Sequence, residues 1–291
     1  LRAVYEPGTL IGNIDDNNTS ATVFTVDAGN MTGIQILLPW ETQNPGEGSY
    51  PSGGKIIGST TTLYAGIAYG VRTRTVAQYF NTSINAGCDG TASQCPETTI
   101  ITSDIFDAEI STVPFGQDGL RDFVITPKTR SLTHTLYAQD SDLTFGGNGN
   151  ANAANKTAPF VVESSSPVRL LVLLSGESEV EGKPADVNEY GISTPGAPAG
   201  KRGMPSAFIV GQSTQVTVHV VDTYYNRVRS GAQPEVKIYT PSDGIDDTET
   251  AVGVQTLSSG RRVFAFTPLR ASLDYRIVAA TTMNSSVNVA S

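Results

Sequence analysis

Residues Val216–Asn226 read VTVHVVDTYYN, and the same segment stands 145 positions earlier as Val71–Asn81, VRTRTVAQYFN. Val216, Val218 and Val220 alternate with Thr217 and His219, the period of two that sends successive side chains to opposite faces of a strand. The first copy reads Val71, Thr73 and Thr75 inward, with Arg72 and Arg74 outward. Two flanking blocks repeat in the same order. Phe24–Gly46 realigns with Phe160–Gly182, 136 positions on, and Gly119–Ala138 realigns with Gly260–Ala279, 141 positions on. Three matched blocks with gaps only between them mark a tandem-module chain.

Each copy reads as short strands punctuated by turns. Phe264 and Phe266 share one strand face, with Phe123 and Ile125 as their counterparts, and Ile34–Leu38 matches the apolar run Leu170–Leu174. Turn residues cluster between the runs, as in Ser242-Asp243-Gly244 and the Gly146–Asn155 stretch. No segment carries capped 3.6-residue periodicity, so the expected class is all-β, with one β-sandwich per copy.

Composition narrows the function. The 291 residues are 38% hydrophobic and only 16% charged, with a net charge of −9 and no basic stripe. Nucleic-acid binding needs clustered Lys and Arg, and membrane insertion needs a long apolar run; neither is present in the sequence. Cys88 and Cys95 bracket a loop that makes the first copy longer than the second. A disulfide there would contribute about 2–3 kcal/mol in the chain-entropy model. Unpaired thiols or a weak metal pair are the alternative, with no nearby His to complete a zinc set.

Six of fifteen Asn lie in Asn-x-Ser/Thr sequons: Asn17, Asn18, Asn30, Asn81, Asn155 and Asn284. Glycans and a disulfide both belong to an oxidising, extracellular compartment. Asn81 poses a conflict, because its partner Asn226 reads as a turn residue. The loop holding Asp243, Asp246, Asp247 and Glu249 is oxygen-rich enough for calcium but lacks the EF-hand register; solvated acidic turns are the simpler reading. No other cofactor is expected. His134 and His219 lie in non-equivalent strands without metal-type companions, and no hydrolase, zincin or P-loop motif occurs, so no enzyme is expected.

The series LLVLLSGE, a Gly-Lys pair, VDTYYN, TPSD, RRVFAFTP and YRIVAA resembles bacterial Ig-like repeat domains of cell-surface and filament proteins. There an LLPGE-like linker precedes each sandwich. The counterparts here are LLPWE, with Leu37, Leu38 and Glu41, and LLSGE, with Leu173, Leu174 and Glu177. Lys55 and Lys201 recur too, so a Glu–Lys pair bracing each linker is expected. The sequence departs from a strict repeat at Ala77, where the second copy has Asp222, and at Trp40, where it has Gly176.

The resemblance implies two Ig-like sandwiches, 29–163 and 164–291. Residues 1–28 look like the closing strands of a preceding module, because Asn18–Val26 resembles Asn155–Val162. Such strands could belong to a longer tandem chain, fold back on their own module, or be donated to a neighbouring subunit. The expected function is a structural subunit of an extracellular filament, stalk or surface layer, self-associating head to tail into a homopolymer. The alternative is an adhesin that recognises carbohydrate or protein.

Overall fold

The computed structural model describes residues 25–49, 52–83, 96–107, 110–140, 155–240 and 253–281. Among them the chain is all-β, without a helix; none therefore is long and apolar enough to cross a membrane. The first copy pairs β1 (Gly33–Leu37), β5 (Tyr69–Val76) and β8 (Leu120–Ile125) in one sheet, and β10 (Leu136–Asp140), β6 (Glu97–Thr102) and β7 (Ile110–Pro114) in another. The second copy repeats the order: β12 (Arg169–Leu173), β15 (Thr214–Val221) and β18 (Arg261–Phe266), then β17 (Gln255–Thr256), β16 (Glu235–Tyr239) and β19 (Val278–Thr281).

Register shows why the apolar pattern yields two cores. Val216 faces Phe264 across the β15–β18 pair, and Val71 faces Phe123 across β5–β8. Paired inward residues then close one cluster around Ile34, Ile36, Ile100 and Phe123, and a second around Val216, Val218, Ile238 and Phe264. Burying each such side chain contributes about 1.5–3 kcal/mol.

Outside each first sheet lies a hairpin, β2 (Glu41–Ser49) with β3 (Ser52–Ile57), and β13 (Glu177–Glu179) with β14 (Lys201–Gly203). This cover corrects the sequence reading of β5 and β15. Alternation holds only at their start, and both are buried on both faces from Thr73 and Val218 onward. Arg74 and His219, expected on the polar outer face, are 0% and 3% exposed. A period of two reports the pleat, not what packs on its far side.

The last sheet of the first copy ends at the boundary with the second. β11 (Phe160–Glu163) runs parallel to β4 (Leu63–Tyr64) and antiparallel to β9 (Ser131–His134), and its Phe160 and Val162 join the first core. Residues 25–28 carry no strand; the remainder of the proposed N-terminal strand pair, and the closing strand sought at Asn284, lie outside the described residues.

Candidate functional site

The most developed polar site is the joint between the repeats. The turn after β15 is tightened by Asp222 N–H donating to Asn226 O at 3.0 Å and Tyr225 N–H donating to Asp222 O at 3.1 Å. Asp222 then acts as the hub. Its carboxylate accepts from the N–H groups of Tyr224 (2.8 Å), Asn226 (2.9 Å) and Ser165 (3.0 Å), and from the Asn226 amide. So oriented, Asn226 Nδ2 donates to Lys128 O at 2.7 Å, while Asn226 Oδ1 accepts from Arg130 N–H at 2.8 Å.

A buried Asn thus pairs with the first copy's backbone as a strand would, satisfying groups that are costly to leave bare. Beside it Tyr224 packs on the first core; a Cβ on Gly66 would come within 2.5 Å of its ring. Gly182 sits so close to Thr129 that no side chain fits between them. Arg130 also holds Glu163 through two contacts, 2.8 and 3.2 Å.

Each LLxxE segment builds one repeated device, and it lies inside a module, between β1 and β2 or between β12 and β13, rather than in a linker ahead of it. Glu41 N–H donates to Leu38 O (2.9 Å), Leu38 N–H donates to Glu41 Oε2 (2.9 Å), and Glu41 Oε1 lies 2.9 Å from Lys55 Nζ. The second copy repeats this with Glu177 N–H to Leu174 O (3.0 Å), Leu174 N–H to Glu177 Oε2 (2.9 Å), and Lys201 at 2.8 Å. One carboxylate closes the turn and holds the hairpin opposite. Gly54 and Gly200, just before the lysines, adopt φ of +72° and +69°, and a Cβ there would strike Phe80 and Tyr225. Only glycine fits.

Two further polar clusters are buried. Asp104 accepts from Phe106 N–H (3.0 Å), Thr129 N–H (2.8 Å) and the Thr129 hydroxyl (2.7 Å), and its Oδ2 lies 3.8 Å from His134 Nε2. Burial alone would raise the Asp104 pKa; His134 and these donors hold it below its usual range. Asp107 is pushed up to about 7 by burial and by the Asp104 charge. One ligand atom each from Asp104, Asp107 and His134 lies within 4.8 Å of the others, the separation a metal ion requires. Lys128 already supplies a positive charge 3.9 Å from Asp107, and three donors already engage Asp104, so the set reads as a charge network anchoring the Lys128–Arg130 loop beside the joint.

The second cluster is the Arg74 and His219 position. Arg74 donates to Gln35 Oε1 (2.7 Å), Gln43 Oε1 (2.9 Å), Thr82 Oγ1 (3.2 Å) and Gly54 O (3.1 Å), and burial lowers its pKa to about 10. His219 Nδ1 lies 3.1 Å from Glu179 Oε1, though not aligned for a hydrogen bond, and Arg227 stands 3.7 Å from the same carboxylate.

Sequence-derived sites fare unevenly. Asn30 and Asn81 are exposed. Asn155 corrects the glycosylation reading: it is fully buried, and its Nδ2 donates to Ala138 O at 3.2 Å, leaving no accessible atom for a sugar. Thr157 of the same sequon caps Leu136 N–H at 3.0 Å, so both sequon side chains serve strand β10. Cys88, Cys95, Asn17, Asn18, Asn284 and the acidic loop Asp243, Asp246, Asp247 and Glu249 lie outside the described residues. The joint's polar hub and the Asp104–Asp107–His134 set were not found from sequence; the one signal was Asp222 standing against Ala77 in an otherwise matched turn.

No family model and no curated protein matches the chain. Among solved structures it is similar to a putative membrane anchored protein from Corynebacterium diphtheriae, at 12% identity over 86% of this chain and 50% of that one, with a TM-score of 0.27. It is also similar to the Escherichia coli adhesin FdeC, at 13% identity over 80% and 62% of the two chains (TM-score 0.27). A β-glycosidase from Bacteroides vulgatus matches at 8% identity over 87% and 24% (TM-score 0.24). This chain spans less than two-thirds of each of them. A likeness at these scores assigns no function.

Proposed function

We propose that the chain is a structural piece of an extracellular filament, stalk or surface layer, built head to tail from Ig-like modules. One observation carries this reading: the joint between the repeats is made from fully buried polar groups rather than a solvated linker. Asp222 and Asn226 are 0% exposed, and the Asn226 amide bonds the backbone of the other copy on both its atoms. Holding two modules in one relative pose is what a stiff rod needs, and a flexible tether would not require it. The doubled Glu–Lys braces stiffen each module from within, holding its outer hairpin to the turn after its first strand.

The test is whether the repeats tumble as one body. NMR relaxation of the intact chain should give one correlation time for both. Asn226→Ala should split it into two and cost about 2–4 kcal/mol, because Asp222 and Lys128 O lose their partner. Independent tumbling of the unmodified repeats would defeat the reading. A glycan array on the same protein addresses adhesion: selective binding would favour a recognition role.

A further inference from the structure

The charge network of Asp104, Asp107, His134 and Lys128 leaves two polar atoms without a hydrogen bond. Asp107 Oδ1 and His134 Nε2 are both buried and unpartnered, and His134 is 2% exposed. Lys128 Nζ stands 3.9 Å from the first and Asp104 Oδ2 stands 3.8 Å from the second, both beyond hydrogen-bond reach. Bare buried groups are costly, so the network as it stands lacks a member. Burial and the Asp104 charge push the Asp107 pKa up to about 7, the mark of two carboxylates with too little positive charge between them.

The donors on Asp104 leave room for that member. A carboxylate offers about four acceptor positions, two on each oxygen. Oδ1 accepts from Phe106 N–H and from the Thr129 hydroxyl, while Oδ2 accepts from Thr129 N–H alone. The position left over is on Oδ2, the oxygen nearer His134 Nε2. Such contacts orient a carboxylate without using it up, as the outer partners of metal-ligating carboxylates do.

The imidazole is held in the same way. Ser103 Oγ accepts from Thr135 N–H at 2.9 Å and lies 3.1 Å from His134 Nδ1. With Nδ1 donating to that oxygen, Nε2 keeps its lone pair on the side of Asp104. The ring also stacks on Phe160, with centroids 5.4 Å apart and planes 4° from parallel. Asp107 is the outermost of the three, and the Lys128 side chain beside it is 35% exposed, which opens a way in.

We propose that Asp104, Asp107 and His134 together bind a divalent transition-metal ion, zinc foremost. One ligand atom from each already lies within 4.8 Å of the others. One imidazole nitrogen and two carboxylate oxygens suit zinc with a water in the fourth position. Calcium, which takes roughly six to eight oxygens, finds too few here. The ion replaces the charge that Lys128 supplies from a distance, and Lys128 turns to water. Because Asp104 also grips Thr129, the ion is tied to the loop that Asn226 engages. The site does not depend on the filament reading, and either can fail alone.

Zinc titration of the intact chain, followed by calorimetry and by imidazole NMR, tests this. The chain has two histidines, so the assignment is direct. Zinc should shift the His134 signals and leave those of His219 still. Asp107→Asn and His134→Gln should each weaken binding at least about tenfold. Lys128→Gln should tighten it severalfold, because a competing cation is gone; a purely structural network gives no such gain. No uptake at submillimolar zinc, displacement of zinc by equal calcium, or binding indifferent to Asp107→Asn and Lys128→Gln would overturn the proposal. Uptake that leaves His134 unmoved would overturn it too, by assigning the ion to other residues. Where His134→Gln does not fold, the imidazole shifts and the other two variants still decide. A chain that takes up no zinc but tumbles as one body loses this site and keeps the structural reading.

Discussion

Arg74 and His219 occupy the same strand position in two copies of one module, and each is buried by a different set of neighbours. Arg74 keeps a charge without a carboxylate, its guanidinium spread over two Gln oxygens, a hydroxyl and a carbonyl. Around His219 the equivalent positions have changed together: Gln43 becomes Glu179, Thr82 becomes Arg227 and Gln35 becomes Leu171. The hairpin, the glycine turns and the Glu–Lys brace are common to both. Backbone geometry is therefore the fixed element, while the polar contents under each hairpin differ as a set, because a buried charge is tolerated only where its neighbours satisfy its hydrogen bonds.

The shared skeleton should fail first and equally. Gly54→Ala and Gly200→Ala each force a side chain at positive φ into a packed ring, buried Phe80 or half-buried Tyr225, and each should cost at least about 3 kcal/mol in chemical denaturation. A loss in one copy only would show that the turns are not equivalent. Next come the contents. Arg74→Leu strips the donors from Gln35, Gln43 and Gly54 O, with an expected loss of about 3 kcal/mol. His219→Arg alone should cost about 2 kcal/mol by crowding Arg227; adding Leu171→Gln, Glu179→Gln and Arg227→Thr should recover stability to within about 1 kcal/mol. Failure of the full set to recover would mean the two pockets differ in backbone as well.

The smallest effect is in pH. Burial would raise the Glu179 pKa, but His219, Arg227 and Arg229 hold it below its ordinary 4.5. A carboxyl depressed in the folded state adds stability above its unfolded pKa and loses it as pH falls through the folded value. Acidification below about 4.5 should therefore weaken the second copy at this site, and Glu179→Gln should flatten that dependence. The first copy, with Gln43, has no such titration there. Thermal melts of the parent and variant from pH 3 to 7 separate the two.

Much of the fold was legible because strands announce themselves locally. Val216, Val218 and Phe264 fall inward as their alternation requires, and the matched blocks named both cores. What escaped was contact between segments distant in sequence. Nothing near Arg74 or His219 records that a hairpin begun at Glu41 or Glu177 will cover them. Asp104 and His134 are 30 residues apart and meet only when β6 and β10 pair. Asn155 misled for the opposite reason: its sequon is a local pattern, yet Lys156 bridges Tyr137 and turns the flanking Asn155 and Thr157 inward. The joint was half visible, since the Asp222–Ala77 mismatch marked the turn without saying what it touches.

Asn81 carries a further consequence. At the matched turn Asn226 commits both amide atoms to the other copy's backbone, whereas Asn81 is exposed and belongs to an Asn-Thr-Ser sequon. One turn geometry thus seals a joint in the second copy and leaves its counterpart open to modification in the first.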